Sequence, residues 1–130
     1  MRILLDSSAL LNIVKRAEIS KLGEAATLDL ALYEALNAVW KEHLKLKRID
    51  RDTALELATL LQKTFNVIGK VSIEGVERET FEIACKHELT IYDASYVTAA
   101  ERNNCTLITD DKKLAEKIKE IVKTKSSREI

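Results

Sequence analysis

Arg2-Ile3-Leu4-Leu5-Asp6-Ser7-Ser8-Ala9-Leu10 is the stretch on which the fold turns. Arg2 to Leu5 is a short apolar run rich in Ile and Leu, and it reads as a strand. Asp6-Ser7-Ser8 interrupts the run, and helix-compatible residues resume from Ala9 to Arg16, giving strand, turn, helix with Asp6 at the strand's carboxyl end. The alternation continues outward. A short β-like stretch near Thr27 to Leu30 precedes a long helix predicted over Ala31 to Arg48. Asp50 or Asp52 then caps a second helix, Asp52 to Phe65, with Ala54, Leu57, Ala58 and Leu61 on one stripe. Val67 to Ser72 reads as a strand, Ile73 to Glu88 as a helix, Tyr92 to Asn103 as a helix, Thr106 to Thr109 as a strand and Lys112 to Glu120 as a helix. Leu89 to Ile91 is too short to assign. Glu120 to Lys125 fits strand, helix or tail, and Lys123 to Ile130 is polar and expected to fray.

Short strands separated by helices predict an α/β fold: a single Rossmann-like domain over residues 1–130, its parallel β-sheet carrying helices on both faces. In such sheets the working site lies outside the carboxyl ends of the strands. Asp6 and the Asp110-Asp111 pair each follow a predicted strand, so both are expected on the same edge.

At 130 residues the chain has room for one buried core and too little for two. Its 46% hydrophobic and 32% charged residues exclude a disordered acidic or basic tail. Twenty-one Lys plus Arg balance 21 Asp plus Glu, so any nucleic-acid contact must be local. Two cysteines, Cys85 and Cys105, form no Cys-x-x-Cys pair, and the histidines are His43 and His87, which disfavours thiolate zinc sites and disulfide scaffolds. The longest uncharged run, Ser7 to Val14, is far short of a membrane span, so a cytoplasmic protein with no membrane contact is expected.

Each acid that could carry chemistry has a plain structural reading beside it. Asp6, Ser7 or Ser8 could cap the following helix. Thr90 and Asp93 match a capping box. Asp110 could cap the Lys112 to Glu120 helix, with Asp111 a first-turn acid favoured by the helix dipole. Glu34 falls opposite the apolar face formed by Leu32, Ala35, Leu36, Val39, His43 and Leu46, yet it sits in the first helical turn, where its side chain can pass the sheet edge. Asn37 follows one turn later. As a set, these carboxylates suit a hard divalent cation such as Mg²⁺ or Mn²⁺, which needs several oxygen ligands and relieves their repulsion. The matching chemistry is phosphoryl transfer, in which a bound ion activates water and stabilises charge on the leaving oxygen. Ser8, Asn37 and Thr109 would be uncharged orienting groups. Spacing alone leaves both readings open.

The chain resembles PIN-domain ribonucleases, and among them the VapC-type toxins of toxin and antitoxin pairs. The resemblance rests on four segments in order: Leu4-Leu5-Asp6-Ser7-Ser8-Ala9-Leu10, Tyr33-Glu34-Ala35-Leu36-Asn37-Ala38-Val39, Leu89-Thr90-Ile91-Tyr92-Asp93-Ala94-Ser95-Tyr96-Val97-Thr98-Ala99-Ala100, and Leu107-Ile108-Thr109-Asp110-Asp111-Lys112-Lys113-Leu114. It implies a PIN-like fold and a four-carboxylate pocket of Asp6, Glu34, Asp93 and Asp111. Asp6, Asp93 and Asp111 would hold Mg²⁺ or Mn²⁺, and Thr109 and Asp111 match a Thr-x-Asp-x-x-Leu pattern with Asp110 on its variable position. The implied activity is endonucleolytic hydrolysis of single-stranded RNA, leaving a 5′-phosphate and a 3′-hydroxyl. The resemblance also implies an antitoxin partner, offering an amphipathic helix and a basic side chain, and a homodimer.

RNA contact would rest on a local rim, with Lys15, Arg16, Lys41, Lys45, Lys112 and Lys113 as candidates and an ordinary solvated face as the alternative for each. Trp40, Phe65 and Phe81 read as packing or as contacts to an oligomer mate, with base stacking the alternative; Tyr92 and Tyr96, beside Asp93, read as helix packing, with an approach to RNA the alternative. Cys85 and Cys105 read as buried small hydrophobes, and His43 as a core imidazole. The competing functional reading keeps the fold without turnover, as a PIN-like RNA-binding or assembly module. Receivers and aspartyl-phosphate phosphatases need a second acid near the first, and Ser7-Ser8 after Asp6 counts against both.

Overall fold

Ile3–Leu5 forms strand β1, in which Leu4 and Leu5 are completely buried. A strand without polar alternation is one covered on both faces. A computed structural model describes residues 2–130 of the chain. Among these residues β1 is followed by α1 (Ser7–Lys15), β2 (Ala26–Leu28), α2 (Ala31–Trp40), α3 (Arg51–Val67), β3 (Gly69–Val71), α4 (Glu77–His87), α5 (Ile91–Arg102), β4 (Thr106–Ile108), α6 (Lys112–Ile118) and β5 (Thr124–Lys125). The five strands form one sheet in the order β3-β2-β1-β4-β5, with every neighbouring pair parallel. The predicted α/β fold is the one observed.

The order of the strands fixes where a site can form. From β1 through β2 to β3 the chain steps in one direction, carried by α1, α2 and α3, which pack on one another. It then returns past its starting strand to β4 and β5. Right-handed crossovers put the helices of the two halves on opposite faces. On the second face α4 packs on α5, and α5 lies along β1, β2 and β4. Direction reverses between β1 and β4, and such a reversal opens a crevice outside the carboxyl ends of the two strands. Here Leu4 pairs with Leu107 and Leu5 with Ile108, and the Asp6 amide extends the ladder by donating to the Ile108 carbonyl at 3.0 Å.

Three segments depart from the sequence pattern, each for a local reason. The helix predicted over Ala31 to Arg48 is α-helical only to Trp40, widens into a π-helical turn over Lys41–Lys45, and stops before Lys47, whose φ is 52°. The wide turn re-phases the side chains, so Leu46 is exposed rather than on the buried stripe, and His43 is half-buried with Nδ1 3.0 Å from the Ile49 carbonyl. The helix expected from Ile73 begins at Glu77, because Gly75 holds the preceding turn at a φ of 92°. Cys85 is exposed, and only Cys105 is buried as expected.

The third departure is the end of the chain. Lys123 to Ile130, expected to fray, is tied down. Thr124–Lys125 pairs with Leu107–Ile108, and the amides of Leu107 and Thr109 donate to the Lys123 and Lys125 carbonyls, each at 2.9 Å. Ser126 then opens a 3₁₀ turn, Ser127–Glu129, through a capping box in which its amide donates to the Glu129 carboxylate at 2.8 Å. A chain ending at Lys123 should lose about 2–4 kcal/mol of stability, from the lost ladder and side-chain hydrogen bonds and the apolar surface uncovered. Urea denaturation measures this, and an unchanged midpoint would mean that the segment is not part of the cooperative fold.

Candidate active site

Asp6 closes β1 and caps α1, its Oδ1 accepting from the Ser8 hydroxyl at 2.7 Å and the Ala9 amide at 2.9 Å. It is 5% exposed, a buried carboxylate at the switch point. Burial pushes its pKa up to about 6, against the downward pull of the Thr109 hydroxyl, the Ala9 amide and the Ser8 hydroxyl, while nearby Asp110 adds to the rise. Ser8 ties the two strand ends together: its hydroxyl donates to Asp6 and accepts from the Asp110 amide at 3.1 Å. Thr109, also buried, accepts from the Asp111 amide at 3.1 Å.

The adjacent acids after β4 have separate places. Asp111, not Asp110, caps α6, accepting from the Leu114 amide at 3.1 Å on Oδ1 and leaving Oδ2 without a protein partner among the described residues. Asp110 has both oxygens engaged. Oδ2 accepts from Asn12 at 2.7 Å and from the Ser127 hydroxyl at 2.6 Å, and Oδ1 accepts from the Ser127 amide at 2.7 Å. Burial draws its pKa up, but these donors and the Arg16 charge outweigh burial and hold it below the ordinary aspartate range. Asp110 therefore anchors the chain's end to α1.

Glu34 and Asp93 approach from α2 and α5. Glu34 is half-buried, and its Oε1 accepts from the Tyr96 hydroxyl at 2.6 Å. Tyr96 packs as expected, at 1% exposure, but its hydroxyl also holds Glu34. Burial, followed by the bond to Glu34, drives the phenol pKa upward, so Tyr96 stays a donor. Asp93 lies one turn before Tyr96, in the first turn of α5, which Thr90 caps by accepting from the Asp93 amide. Burial raises its pKa, Asp111 and then Glu34 raise it further, and Lys117 opposes them. Asn37 is exposed one turn after Glu34 and lines a shallow hollow of about 230 Å³ with Glu34, Tyr33 and Tyr92. Tyr92 is 58% exposed, so it is not packed as expected.

Asp6, Glu34, Asp93 and Asp111 thus lie round one rim, linked by the charge of Asp111 and Glu34 on Asp93 and of Glu34 and Asp6 on Tyr96. Among the described residues, no three His, Cys, Asp or Glu side chains already form a cage for an ion. The donors are all oxygen and mutually repelling, which fits a hard divalent cation, and an open rim suits an ion that keeps several waters. Of the basic candidates, Lys15, Arg16 and Lys112 line a cleft of about 710 Å³ beside Thr109 and Asp110, while Lys41 and Lys113 are exposed elsewhere. Lys15 pairs with Glu42 and Arg16 with Glu18, both at 2.5 Å, and Arg16 also donates to the Ser127 hydroxyl at 2.9 Å.

The raised pKa of Asp6 has a stability consequence. Folding favours its protonated form, so that contribution is complete below pH 3.8 and is lost as pH climbs through about 6. In chelator at pH 7.5, Asp6→Asn should stabilise the protein by about 1–3 kcal/mol, and the gain should vanish near pH 4. Thermal melts at both pH values decide it; a gain independent of pH would mean that Asp6 is not strained by ionisation.

The model of the PIN domain family matches residues 3–120. The chain is 35% identical over 130 residues to Ribonuclease VapC3 of Pyrobaculum aerophilum, covering 94% of this chain and 98% of that one. It is also 35% identical over 118 residues to Exonuclease VapC9 of the same organism, covering 89% and 85%. The crystal structure of the Pyrobaculum aerophilum protein PAE2754 superposes with a TM-score of 0.81 at 28% identity, over 99% of this chain and 92% of that one. The rim at the switch point, the strand order and these likenesses agree: the chain belongs to the PIN domain family.

Proposed function

We propose that this protein is a metal-dependent endoribonuclease that hydrolyses phosphodiester bonds of single-stranded RNA, acting in the cytoplasm as the toxin of a toxin and antitoxin pair. The observation that carries the proposal is the meeting of Asp6, Glu34, Asp93 and Asp111 at one rim. Relatives named as a ribonuclease and an exonuclease support nuclease chemistry. Hydrolysis within a strand, rather than from its end, is supported by hollows on two sides of the acids, the 710 Å³ cleft lined by Thr109 and Asp110 and the 230 Å³ hollow lined by Glu34. Among the described residues no helix is long and apolar enough to cross a membrane.

In this reading Asp6, Asp93 and Asp111 would hold Mg²⁺ or Mn²⁺, which would supply Lewis acidity toward the phosphate and ease deprotonation of the attacking water. Glu34, one oxygen fixed by Tyr96, keeps the other for the attacking water. Ser8 and Thr109 steady Asp6, and Asn37 borders the strand's path. Asp110 serves the fold beneath them. Of the basic candidates for RNA contact, Lys112 lines the cleft without an ion pair, Lys15 and Arg16 line it paired with Glu42 and Glu18, and Lys41, Lys45 and Lys113 lie further out. Trp40 and Leu44, four residues apart and exposed where α2 ends, support an antitoxin helix or a second copy of the chain as partner.

A second reading, an RNA-binding module without turnover, is favoured by the lack of a ready-made ion cage among the described residues. A circular single-stranded RNA separates the readings, because only an endonuclease opens it. Cleavage should require Mg²⁺ or Mn²⁺ and stop in chelator. Asp6→Asn, Asp93→Asn and Asp111→Asn should each slow it roughly a hundredfold or more, with the fold intact. Asp110→Asn should chiefly lower the melting temperature. A parent protein that binds the circle but never opens it establishes the module.

A further inference from the structure

We propose that the cleft beside the end of β4 is a phosphate-binding site that holds single-stranded nucleic acid next to the acidic rim, with Lys112, Lys125 and Arg128 as its cations. The proposal rests on the nuclease reading only for the identity of the strand. Its walls come from α1, the start of α6, β5 and the 3₁₀ turn that follows, and it encloses about 710 Å³. Lys125 and Arg128 lie in the segment whose polar sequence suggested a frayed tail.

Charge accounting singles these three out. Five cations line the cleft against two acids, in a chain whose overall charge is zero. Lys15 and Arg16 are already paired with Glu42 and Glu18. The two acids accept hydrogen bonds from neutral donors, Asp110 from Asn12 and Ser127 and Glu129 from the Ser126 amide, so each keeps its negative charge, and the Lys125 ammonium acts on Glu129. Among the described residues Lys112, Lys125 and Arg128 form no salt bridge, and cations outnumber acids along this concave surface. All three line the same cleft. Guanidinium and ammonium groups along a groove are what tracks a flexible phosphodiester backbone.

Two features join the cleft to the rim. Thr109 lines the cleft and its hydroxyl also steadies the Asp6 carboxylate, so one buried residue separates the cleft from the rim. The wall is also held in place: Arg16 donates to Ser127, and Ser127 and Asn12 both donate to Asp110, which fixes α1 against the chain's end before any ligand arrives. A strand seated there presents its next phosphates to the acids.

The test is fluorescence anisotropy with a labelled oligouridylate in chelator, where binding is read without cleavage. The double variant Lys112→Gln with Arg128→Gln should weaken binding roughly tenfold and flatten the dependence of log affinity on log salt by about 0.7 for each phosphate no longer neutralised. Both side chains are exposed, and the charge-preserving pair Lys112→Arg with Arg128→Lys should bind like the parent, which separates lost charge from damage to the fold. Arg78→Gln with Lys86→Gln, on α4, should change nothing. The proposal is overturned if the parent does not bind, if the double variant binds as tightly as the parent, or if a glutamate oligopeptide binds as well as the oligonucleotide at equal salt. A parent that binds with the stated salt dependence yet cuts no RNA leaves the cleft standing and removes the nuclease reading. Cleavage by a parent whose affinity ignores Lys112 and Arg128 does the reverse.

Discussion

Parallel pairing of β1 with β4 is the constraint from which the remaining features of the site descend. It sets two strand ends side by side where the sheet reverses its winding, and residues about a hundred positions apart enter one network: Asp6 and Ser8 from one end, Thr109, Asp110 and Asp111 from the other. Ionising Asp6 there is opposed by its surroundings, because the sheet and α1 exclude water from it. The local hydroxyls and the Ala9 amide offset only part of that opposition. Opposition of this kind is what a cation of matching hardness relieves.

Capping and rim-building turn out to be one geometric fact rather than rival explanations. A helix that starts directly after a strand places its first turn over the carboxyl edge of the sheet, and the residue best suited to that turn is an acid or hydroxyl. Asp6 caps α1 and Asp111 caps α6, while Asp93 rides in the first turn of α5 behind the Thr90 cap. Each of these acids therefore sits at the positive end of a helix, which softens the rim's self-repulsion. Glu34 caps nothing; it rides in the first turn of α2, and Tyr96 reaches it from the core of α5.

The fold was legible because its signal is strong: apolar triplets followed by acids, separated by amphipathic helices. Asp6 and the Asp110-Asp111 pair were legible as acids at strand ends, whereas Glu34 and Asp93, which lie inside helices, were singled out by the family resemblance and not by their spacing. Contacts that depend on three-dimensional neighbours were not. Tyr96 on a fully buried helix face looks like packing, and nothing in its spacing reveals a hydroxyl partner 62 positions away. Periodicity set Glu34 on the solvent side, and only the sheet edge makes that side part of the rim. The two-residue β5 has no hydrophobic signature, so Lys125, Ser127 and Arg128 were hidden with it. Wherever an element is shorter than its own period, sequence pattern has nothing to repeat.

The sheet's borders bear on how copies of this chain can meet. β3 and β5, the outermost strands, are three and two residues long, and each carries a lysine, Lys70 and Lys125. Lys70 also folds back to donate to the Phe65 and Ile68 carbonyls, at 2.8 and 3.0 Å. Short, charged borders resist the addition of a foreign strand, which is how soluble sheets avoid growing into aggregates. Self-association has the helical surfaces to work with, so a dimer of this protein would leave each sheet at its own five strands.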